Sequence, residues 1–575
     1  MGKRILIVGG VAAGASAATR ARRAQESAEI IMFERGDYVS FANCGLPYYI
    51  SGDIAERENL LVVTPELFRK RHNIDVRLKH EVMSIDAAAK TITVKNLADG
   101  TESVERYDAL ILAPGTRPLK PPLPGMDAEN VYTMTTIPDA DAVQSWIDGH
   151  MVKNATVIGA GYIGVEMAEA LLERGIKVTL IEKLEQVIPT MDPDMAALMS
   201  QHMHESGIRV TLGEGLASIA TDENNNAISV KLESGREIET DLVIVSVGVR
   251  PNVELAVNAG LELGTTGAIK VDEHMQTSDR DIWAAGDAIE STHLVTRKPV
   301  WIALAGPANK QGRAAGCNAA GCNAPGGAIS FRGLVGTSIV RFNKFVAGST
   351  GLNFKQATAE GYDFQIALIH AMNHAGYYPG ASLLAAKVIY EKKTGRLLGA
   401  QVVGEEGVDK RIDVFATAVA GKMTVDDVAE LDLAYAPPFG SARDPVIVAG
   451  FVAQNQRGGI VESIGSDDLK TMIDNGDDFT LLDVRMVEEH NEMHIPGSIL
   501  IPIDELRERI GEVDMSKPVV VYCRVGLRGY LGARILTQNG AKVRNLCGGL
   551  RSWRFGVMSR GHQPSEAEVH DTSRA

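Results

Sequence analysis

The sequence has few cysteines, and it lacks any long apolar run. Its 575 residues include five cysteines, widely scattered. Such scatter excludes a disulfide-stapled secreted domain and is typical of a reducing compartment. No run of about 18 apolar residues occurs, and a strand begins directly after "MGK". We therefore expect neither a membrane span nor a signal peptide, and the predicted location is the cytoplasm.

A basic surface is also missing. The formal net charge is −15 at pH 7, from 58 Lys and Arg against 73 Asp and Glu. Proteins that bind nucleic acid need a positively charged face, so a nucleic-acid partner is not expected. A local basic patch for a phosphorylated small molecule remains compatible with this charge.

Glycine, by contrast, is abundant, and it marks the domain organisation. The apolar run "KRILIV" at 3–8 ends at a glycine pair and is followed by an alanine-rich helix and the strand "EIIMFE". The same order of strand, glycine turn and helix returns at residue 155, which predicts two dinucleotide-binding domains in tandem. The predicted fold class is α/β, with tandem Rossmann-like domains, an α+β domain and a C-terminal α/β domain. The predicted bounds are 1–152 and 276–325 for the first dinucleotide domain, 153–275 for the second, 326–451 for the α+β domain, 452–475 for a linker, 476–560 for the last domain and 561–575 for a disordered tail.

The second glycine turn matches a dinucleotide site in full. Gly159, Gly161 and Gly164 follow the strand "ATVI" and open a helix, and Glu182 ends the next strand. In such a turn the pyrophosphate rests on the helix N-terminus, beside Tyr162 and Ile163, and the acid binds ribose hydroxyls. Because a carboxylate would repel a 2′-phosphate, NADH is favoured over NADPH, although the adjacent Lys183 weakens this preference.

The first glycine turn is irregular. Gly9 and Gly14 occupy the outer positions, but Val11 stands where the middle glycine belongs, and Gly10 shifts the close approach by one residue. Glu34 still ends the second strand, so a dinucleotide site is predicted here as well. The predicted contacts of this site also include Ala13 and Arg35.

Two further segments carry a family resemblance. "TSDRDIWAAGDA" at 277–288 and "YDALILAPGTRP" at 107–118 resemble signatures of the two-dinucleotide-binding flavoprotein family, over residues 1 to about 450. The resemblance implies that the first site holds FAD, with Asp287 on the ribitol, and that the second site holds NADH. The residues that it adds to the FAD site are Ala113, Gly115, Gly286 and Asp287.

"SFANCGLPYY" at 40–49 holds a cysteine, Cys44, with no second thiol near it in sequence. A single-cysteine redox enzyme must cycle through a sulfenic acid, a mixed disulfide or a persulfide, and each route needs a thiolate. A flavin ring beside a helix N-terminus can lower the pKa of such a cysteine. The segment resembles the coenzyme A disulfide reductase branch of the family, in which coenzyme A supplies the second thiol. Peroxide- and oxygen-reducing relatives carry an upstream histidine where this chain has Val11-Ala12-Ala13.

The same resemblance implies contacts for coenzyme A and for a leaving thiolate. "TRARRAQES" and "LFRKRHN" are basic runs, although such runs are more often solvated faces. The predicted substrate contacts are Arg20, Arg23, Ser40, Phe41, Asn43, Arg71, Asn309 and Arg443. Tyr377 in "HAGYYPG" and Tyr435 in "DLAYAPPFG" are the predicted acids, and their loops imply a homodimer.

"CRVGLRG" at 523–529 follows the apolar strand "PVVVYC" and precedes a helix, so backbone N–H groups should point at the Cys523 sulfur. With "LLDVR", "HIPGSILIP" and "NLCGGLRSW", it resembles a rhodanese domain whose sulfur-carrying nucleophile is Cys523. Cys547 is interpreted as structural. Cys317 and Cys322 are placed on a helix without a chemical role, and no metal site is predicted.

The predicted function is FAD-dependent reduction, by NADH, of coenzyme A disulfide, coenzyme A persulfide or polysulfide through Cys44, coupled to sulfur transfer at Cys523. Two alternatives stay open. The first is an NADH oxidase or peroxidase that cycles Cys44 as a sulfenic acid, and the second is a persulfide carrier or redox sensor. A flexible linker over 452–475 would raise the effective concentration of one cysteine at the other.

Overall fold

The computed structural model describes residues 2–322 and 327–558, which leaves the predicted tail at 561–575 outside the described residues. The chain divides into two compact units. The first unit comprises 1–181 and 215–336, and the second comprises 182–214 and 337–575. Within the described ranges, no helix combines the length and apolar character that crossing a bilayer requires.

Strands and helices are numbered along the chain. The strands are β1 Arg4–Val8, β2 Glu29–Glu34, β3 Asp75–Leu78, β4 His80–Asp86, β5 Thr91–Asn96, β6 Glu102–Arg106, β7 Ala109–Leu112, β8 Thr116–Pro118, β9 Val131–Tyr132, β10 Asn154–Ile158, β11 Lys177–Ile181, β12 Arg209–Thr211, β13 Leu216–Thr221, β14 Ala227–Leu232, β15 Glu237–Glu239, β16 Leu242–Val245, β17 Val249–Pro251, β18 Ile282–Ala284, β19 Ser291–Thr292, β20 Pro299–Val300, β21 Ser338–Phe342, β22 Phe345–Gly351, β23 Phe364–Met372, β24 Leu383–Glu391, β25 Leu397–Gly404, β26 Glu462–Ile464, β27 Thr480–Asp483, β28 Ile499–Leu500, β29 Val519–Tyr522 and β30 Val543–Leu546. The helices are α1 Ala12–Ala24, α2 Leu46–Ser51, α3 Pro65–His72, α4 Ile137–Gly149, α5 Tyr162–Glu173, α6 Pro193–Glu205, α7 Glu254–Asn258, α8 Ala305–Ala319, α9 Phe354–Ala359, α10 Val408–Ala420, α11 Val425–Ala429, α12 Pro445–Arg457, α13 Ser466–Asn475, α14 Val487–Glu492, α15 Leu527–Gln538 and α16 Gly549–Met558.

The first unit contains two parallel sheets of Rossmann type. In one, β1 is flanked by β7 and β2, and the order is β18-β7-β1-β2-β3. Ile5, Leu6 and Ile7 of β1 are fully buried, as expected for a central parallel strand covered on both faces. In the other sheet, β10 pairs in parallel with β11 and with β16. Each central strand leads through a glycine turn into a helix, so the two turns lie at the carboxyl ends of the strands, where α/β sheets bind ligands.

The second unit contains an antiparallel sheet in the order β21-β22-β25-β24-β23. Strand β25 is buried along its whole length, which fits a sequence that is apolar or small except at Gln401. Lys387 of β24 is also buried, and its Nζ lies 2.8 Å from a carboxylate oxygen of Asp192 and 2.8 Å from one of Asp194. Because an unpaired buried ammonium would be costly, these two carboxylates hold the N-terminal end of α6 against the sheet.

The C-terminal sheet, also in the second unit, is parallel in the order β26-β30-β29-β27-β28. It corrects the linker predicted over 452–475, because those residues contain the end of α12, strand β26 and helix α13. Strand β26 pairs in parallel with β30, and Leu469 of α13 is fully buried. The polar composition of the segment suggested a linker, but its pairing partner lies about 80 residues further along the chain.

This C-terminal region also packs against the antiparallel sheet within the second unit. The Sγ atom of Cys547 lies 3.9 Å from the carbonyl oxygen of Leu368, and Nε2 of His370 lies 3.0 Å from Oγ of Ser552. Burial there lowers the pKa of His370 to about 3, and the nearby charge of Arg551 acts in the same direction. A freely tethered domain would not keep these contacts, so the effective-concentration argument for a flexible linker does not hold.

Candidate functional site: two cysteine loops and the dinucleotide turns

The first glycine turn is too crowded for any side chain. Gly9 has a φ of +93°, and a Cβ atom on it would lie 2.1 Å from the carbonyl oxygen of Ala113. A Cβ atom on Gly14 would lie 1.9 Å from the carbonyl oxygen of Gly9. Glycine at these two positions therefore permits the tight turn from β1 into α1, and a pyrophosphate rests on such a turn at the helix N-terminus.

Gly10 also leaves no room for a side chain. A Cβ atom on Gly10 would lie 2.7 Å from Cγ2 of Val39, so the glycine permits close packing against the segment that leads to Cys44. Its N–H donates to Oε2 of Glu34 at 2.8 Å, and the N–H of Gly36 donates to the other oxygen at 2.8 Å. Glu34 thus lies at the end of β2, as the sequence indicates, and it braces the turn.

The segment 277–288, which carries Gly286 and Asp287, lies against the same turn. Gly286 has a φ of +85°, and a Cβ atom on it would lie 2.8 Å from Cβ of Ala13. Burial raises the pKa of the neighbouring Asp287 carboxyl group. A desolvated carboxylate beside a phosphate-binding turn suits the hydroxyl-rich ribitol chain of FAD, whose O–H groups would compensate it. The residues present therefore fit this cofactor. Gly115 and Ala113 follow β7, while Arg35 is exposed after β2.

The turn at Gly159 repeats this geometry. A Cβ atom on Gly164 would lie 1.9 Å from the carbonyl oxygen of Gly159, whereas a Cβ atom on Gly161 would meet no atom within 4 Å. Gly161 is thus free of protein crowding, as required of a position that a pyrophosphate approaches closely. Helix α5 begins at Tyr162, and Glu182 directly follows β11. These residues fit a second dinucleotide.

The Cys44 loop is attached to the first glycine turn. The N–H of Ser40, which has a φ of 48°, donates to the carbonyl oxygen of Gly10 at 2.9 Å. Phe41 forms an isolated bridge with Leu61. Cys44 lies in the 3₁₀ turn Asn43–Gly45, directly before α2, and its N–H donates to Oδ1 of Asn43 at 3.1 Å. Its thiol is free and the residue is exposed.

Two carboxylates act on this thiol. Partial desolvation by the surrounding protein raises the pKa of Cys44, and Glu166 and then Asp287 raise it further. The protein therefore acts against the lowered pKa that the sequence led us to expect, and any lowering must come from bound cofactor or substrate.

Glu166 was missed by the sequence reasoning. It lies on α5, and its Oε1 accepts a hydrogen bond of 3.3 Å from the hydroxyl of Tyr48 on α2. Its place two residues after Gly164, on the helix that opens at the second glycine turn, is the signal that could have identified it. Helix α5 therefore brings a carboxylate of the second dinucleotide domain to the loop that carries Cys44.

Four arginines of the first unit form a group that we call the basic cluster: Arg20, Arg23, Arg71 and Arg313. Burial lowers the pKa of Arg20, and the charges of Arg313 and Arg23 lower it further. Burial also lowers the pKa of His72, with Arg23 and Arg71 acting in the same direction. The structure thus brings together three arginines predicted as substrate contacts and adds Arg313. Arg22, between them in sequence, is buried and donates to the carbonyl oxygens of His72 and Asn73.

Helix α8 lies beside this cluster. Ser16 of α1 donates from Oγ to Oδ1 of Asn309 at 2.6 Å, so the predicted contact Asn309 lies on the shared face of α1 and α8. Cys317 and Cys322 are joined as a disulfide at the C-terminal end of α8. The predicted placement of both cysteines on one helix is wrong for Cys322, since α8 ends at Ala319 and the chain turns back to bring the sulfurs together.

The predicted tyrosines form a pair in the second unit. The hydroxyl oxygens of Tyr377 and Tyr435 lie 3.1 Å apart, and this hydrogen bond raises the pKa of Tyr377. Both side chains are strongly exposed, at 76% and 49%. Buried Arg411 connects the two loops, because it donates to the carboxylate of Asp444 at 2.8 Å and to the carbonyl oxygen of Asn373. Arg443, next to Asp444, is exposed.

Cys523 lies at the end of β29 and is fully buried. The N–H of Gly526, the residue before α15, donates to its Sγ at 3.1 Å. Arg528 on the first turn of α15 is held by Glu489 through hydrogen bonds of 2.6 and 2.7 Å. A sulfur that accepts an N–H beside a helix N-terminus is suited to carry negative charge. Burial raises the pKa of the other cysteine of this domain, Cys547, to about 11, which fits a structural role.

Models of known protein families match three consecutive parts of the chain. The model of the pyridine nucleotide-disulphide oxidoreductase family matches residues 3–312, the model of its dimerisation domain matches 337–446, and a rhodanese-like domain matches 466–555. The NAD(P)H sulfur oxidoreductase (CoA-dependent) of Pyrococcus furiosus is 40% identical over 447 residues, which cover 78% of this chain and 98% of that protein. The coenzyme A disulfide reductase of Staphylococcus haemolyticus is 34% identical over 454 residues, which cover 79% of this chain and 100% of that protein.

Two solved structures resemble nearly the whole chain. The reduced CoADR-RHD of Bacillus anthracis has 43% sequence identity and a TM-score of 0.93, covering 97% of this chain and 99% of that one. A NAD-dependent persulfide reductase from A. fulgidus has 41% identity and a TM-score of 0.89, covering 96% of this chain and 100% of that one. With its dinucleotide turns, dimerisation domain and rhodanese-like domain, the chain belongs to the pyridine nucleotide-disulphide oxidoreductase family.

Proposed function

We propose that the protein uses NADH and FAD to reduce coenzyme A disulfide, coenzyme A persulfide or polysulfide at Cys44, and that its rhodanese-like domain transfers sulfur at Cys523. The observation that carries the proposal is the exposed, free thiol of Cys44, tied to the first glycine turn through Ser40. The relatives named for coenzyme A-dependent sulfur reduction and coenzyme A disulfide reduction support the substrate class.

The chain's own groups account for the steps at sulfur. When bound, FAD would take two electrons from NADH and deliver them to the sulfur of Cys44. The Cys44 thiolate attacks one sulfur of the substrate disulfide, which forms a mixed disulfide and releases one coenzyme A thiolate. That thiolate takes a proton. Two electrons then cleave the mixed disulfide, which restores the Cys44 thiolate and releases the second coenzyme A as a thiolate that also takes a proton. The net reaction consumes NADH, one proton and one disulfide, and it produces NAD⁺ and two thiols.

The basic cluster supports binding of the nucleotide part of coenzyme A. Arg23 and Arg71 are exposed, and like charge between neighbouring arginines is costly unless an anion lies among them. Coenzyme A carries three phosphates that would meet this need, whereas inorganic polysulfide carries none. The cluster should therefore select the coenzyme A substrates.

The tyrosine pair supports the proton step in a homodimer. Tyr377 and Tyr435 share one hydrogen bond and face solvent on the unit that carries the dimerisation domain. We infer that the pair protonates the leaving thiolate at the Cys44 of the other subunit. Ser40, Phe41, Asn43, Asn309 and Arg443 are the remaining proposed substrate contacts.

The nicotinamide preference follows from Glu182. A carboxylate after β11 would accept hydrogen bonds from ribose hydroxyls and repel a 2′-phosphate, so NADH should reduce the flavin faster than NADPH. Stopped-flow reduction of the holoenzyme with each nucleotide measures this. A faster reaction with NADPH would overturn the assignment of Glu182.

The proposal is tested by steady-state kinetics with NADH against coenzyme A disulfide, coenzyme A persulfide, polysulfide, oxygen and peroxide. We expect sulfur substrates to be preferred, and Arg71→Ala to raise KM for coenzyme A substrates but not for polysulfide. Lys70→Ala, an exposed cation on the same helix, is the matched control and should change neither. Faster turnover with oxygen or peroxide would favour an oxidase that cycles a sulfenic acid. Turnover of a few per hour with every acceptor would favour a persulfide carrier.

A further inference from the structure

Cys317 and Cys322 form a sulfur site apart from Cys44 and Cys523, and the proposed reaction does not use it. They are joined as a disulfide, with their Cα atoms 5.2 Å apart. Cys317 is fully buried, and Cys322 is half-buried. The pair therefore combines a half-buried residue with a fully buried one, and thiol–disulfide exchange would begin at the more accessible sulfur, that of Cys322.

A cation lies directly at the protected sulfur. Nη2 of Arg20 donates to Sγ of Cys317 at 3.3 Å. The Nε atom of Arg20 is buried, and it has no hydrogen-bond partner within the described residues. A guanidinium in this position favours a thiolate over a thiol, because an anion compensates its charge better than a neutral sulfur does. Arg20 would therefore stabilise the reduced form of the pair, in which Cys317 is a thiolate.

The surrounding packing would allow the disulfide to open without loss of the fold. A Cβ atom on Gly312 would lie 2.2 Å from the carbonyl oxygen of Ala13, and one on Gly316 would lie 2.1 Å from that of Ala17, so α8 lies tightly on α1. The N–H of Cys322 also donates to the carbonyl oxygen of Cys317 at 3.1 Å. These contacts hold the helix and its last turn in place without help from the sulfur–sulfur bond.

We propose that Cys317 and Cys322 are a redox-active thiol–disulfide site for low-molecular-weight disulfides, and that their state controls the charge of the basic cluster through Arg20. In the first step the Cys322 thiolate attacks a disulfide, forms a mixed disulfide and releases one thiolate. In the second step the Cys317 thiolate attacks the Cys322 sulfur and releases the other thiolate. The two cysteines lose two electrons and two protons, and the external disulfide becomes two thiols.

The expected consequence is tighter binding of coenzyme A by the oxidised form. In the reduced form, the Cys317 thiolate partly neutralises Arg20; in the oxidised form, the full charge of Arg20 is available to phosphates. This coupling rests on the proposed role of the basic cluster in binding coenzyme A. The exchange reaction at the two cysteines does not.

The exchange is tested by differential alkylation and mass spectrometry of the holoenzyme, equilibrated without NADH in either oxidised or reduced glutathione. We expect the peptides of Cys317 and Cys322 to change from disulfide to two alkylated thiols, while Cys547, which is half-buried and has no cysteine partner, stays reduced throughout. Cys322→Ser should leave Cys317 without an intramolecular partner at unchanged flavin content. A pair that stays reduced in oxidised glutathione, or stays oxidised in excess reduced glutathione, would overturn the proposal.

The coupling is tested by calorimetric binding of desulfo-coenzyme A, which carries the phosphates but no thiol. We expect the Kd of the oxidised form to be lower by roughly threefold to tenfold, since one nearby charge changes. Cys322→Ser, which cannot oxidise in this way, should keep the reduced-form Kd under both conditions. Equal Kd values in the two redox states would refute the coupling. No binding in either state would refute the proposed coenzyme A site, and the alkylation result would still stand by itself.

Discussion

The two cysteine loops place similar residues in opposite surroundings. Cys44 and Cys523 each stand shortly before a helix, yet Cys44 is exposed among carboxylates whereas Cys523 is fully buried and accepts an N–H from Gly526. A thiol whose pKa the protein raises needs a bound partner before it reacts, while the Cys523 sulfur already accepts an N–H from its own chain. This difference fits the proposed roles, in which Cys44 reacts only with cofactor and substrate bound and Cys523 carries the transferred sulfur.

Exchanging each cysteine for serine would test this division most strongly. Cys44→Ser should lower NADH-dependent disulfide reduction by on the order of a thousandfold or more, because the attacking sulfur is gone. Cys523→Ser should remove sulfur transfer from thiosulfate to a thiol acceptor and leave disulfide reduction within about twofold. Both activities, flavin content and melting temperature are measured on each variant, with Cys547→Ser as the control. If Cys523→Ser also abolishes disulfide reduction while the flavin is retained, the two loops form one catalytic unit and the comparison fails.

The tyrosine pair should matter to one loop only. Tyr377→Phe or Tyr435→Phe should slow disulfide reduction by about tenfold, and the double variant by about a hundredfold, since a leaving thiolate then lacks its acid. Sulfur transfer at Cys523 should be unaffected. Tyr378→Phe is the matched control, because it adjoins the pair without forming its hydrogen bond. Equal losses in both activities would indicate a structural role for the pair.

Two left-handed glycines allow the N–H donor of Cys523 to be tested. Gly526 has a φ of 104° and Gly52, at the end of α2, has a φ of 95°, so alanine is similarly strained at both. Gly526→Ala should displace the N–H from Cys523 and reduce sulfur transfer by roughly fivefold to tenfold, the effect of one hydrogen bond. Gly52→Ala should show similar destabilisation with unchanged sulfur transfer. Equal sulfur-transfer rates in the two variants would mean that the N–H does not act on the sulfur.

Removal of the Glu166 charge should give the smallest effect, and the direction of the resulting change in the pKa of Cys44 follows from electrostatics. Because Glu166 raises the pKa of Cys44, Glu166→Gln should lower it and move the pH midpoint of Cys44 alkylation downward by about one unit or less. The alkylation rate of the holoenzyme by iodoacetamide, followed by mass spectrometry at Cys44, measures the midpoint. Glu173→Gln, an exposed carboxylate on the same helix, should leave it unchanged. An upward shift would contradict the proposed electrostatics.

Much of this molecule could be predicted locally. Gly9, Gly14, Gly159 and Gly164 identify their turns because only glycine fits where a carbonyl oxygen lies 1.9 to 2.5 Å from the Cβ position, and that restriction leaves a spacing in the sequence. The α/β fold class and the family could be predicted for the same reason, since strand, turn and helix follow each other within roughly 30 residues. The comparisons confirm both. The roles of the substrate-contact residues stay predictions, because they depend on ligands.

What only the tertiary structure decided involves partners distant in sequence. Glu166 reaches the Cys44 region because α5 packs on α2, Arg20 meets Cys317 because α8 lies on α1, and the predicted linker is wrong because β26 pairs with β30. No local pattern encodes these neighbours, since the hydrophobic periodicity of a segment shows which face is buried and not which element covers it. The sequence by itself determined which residues could react, and the packing of distant helices and strands decided the charges and neighbours that each reactive sulfur meets.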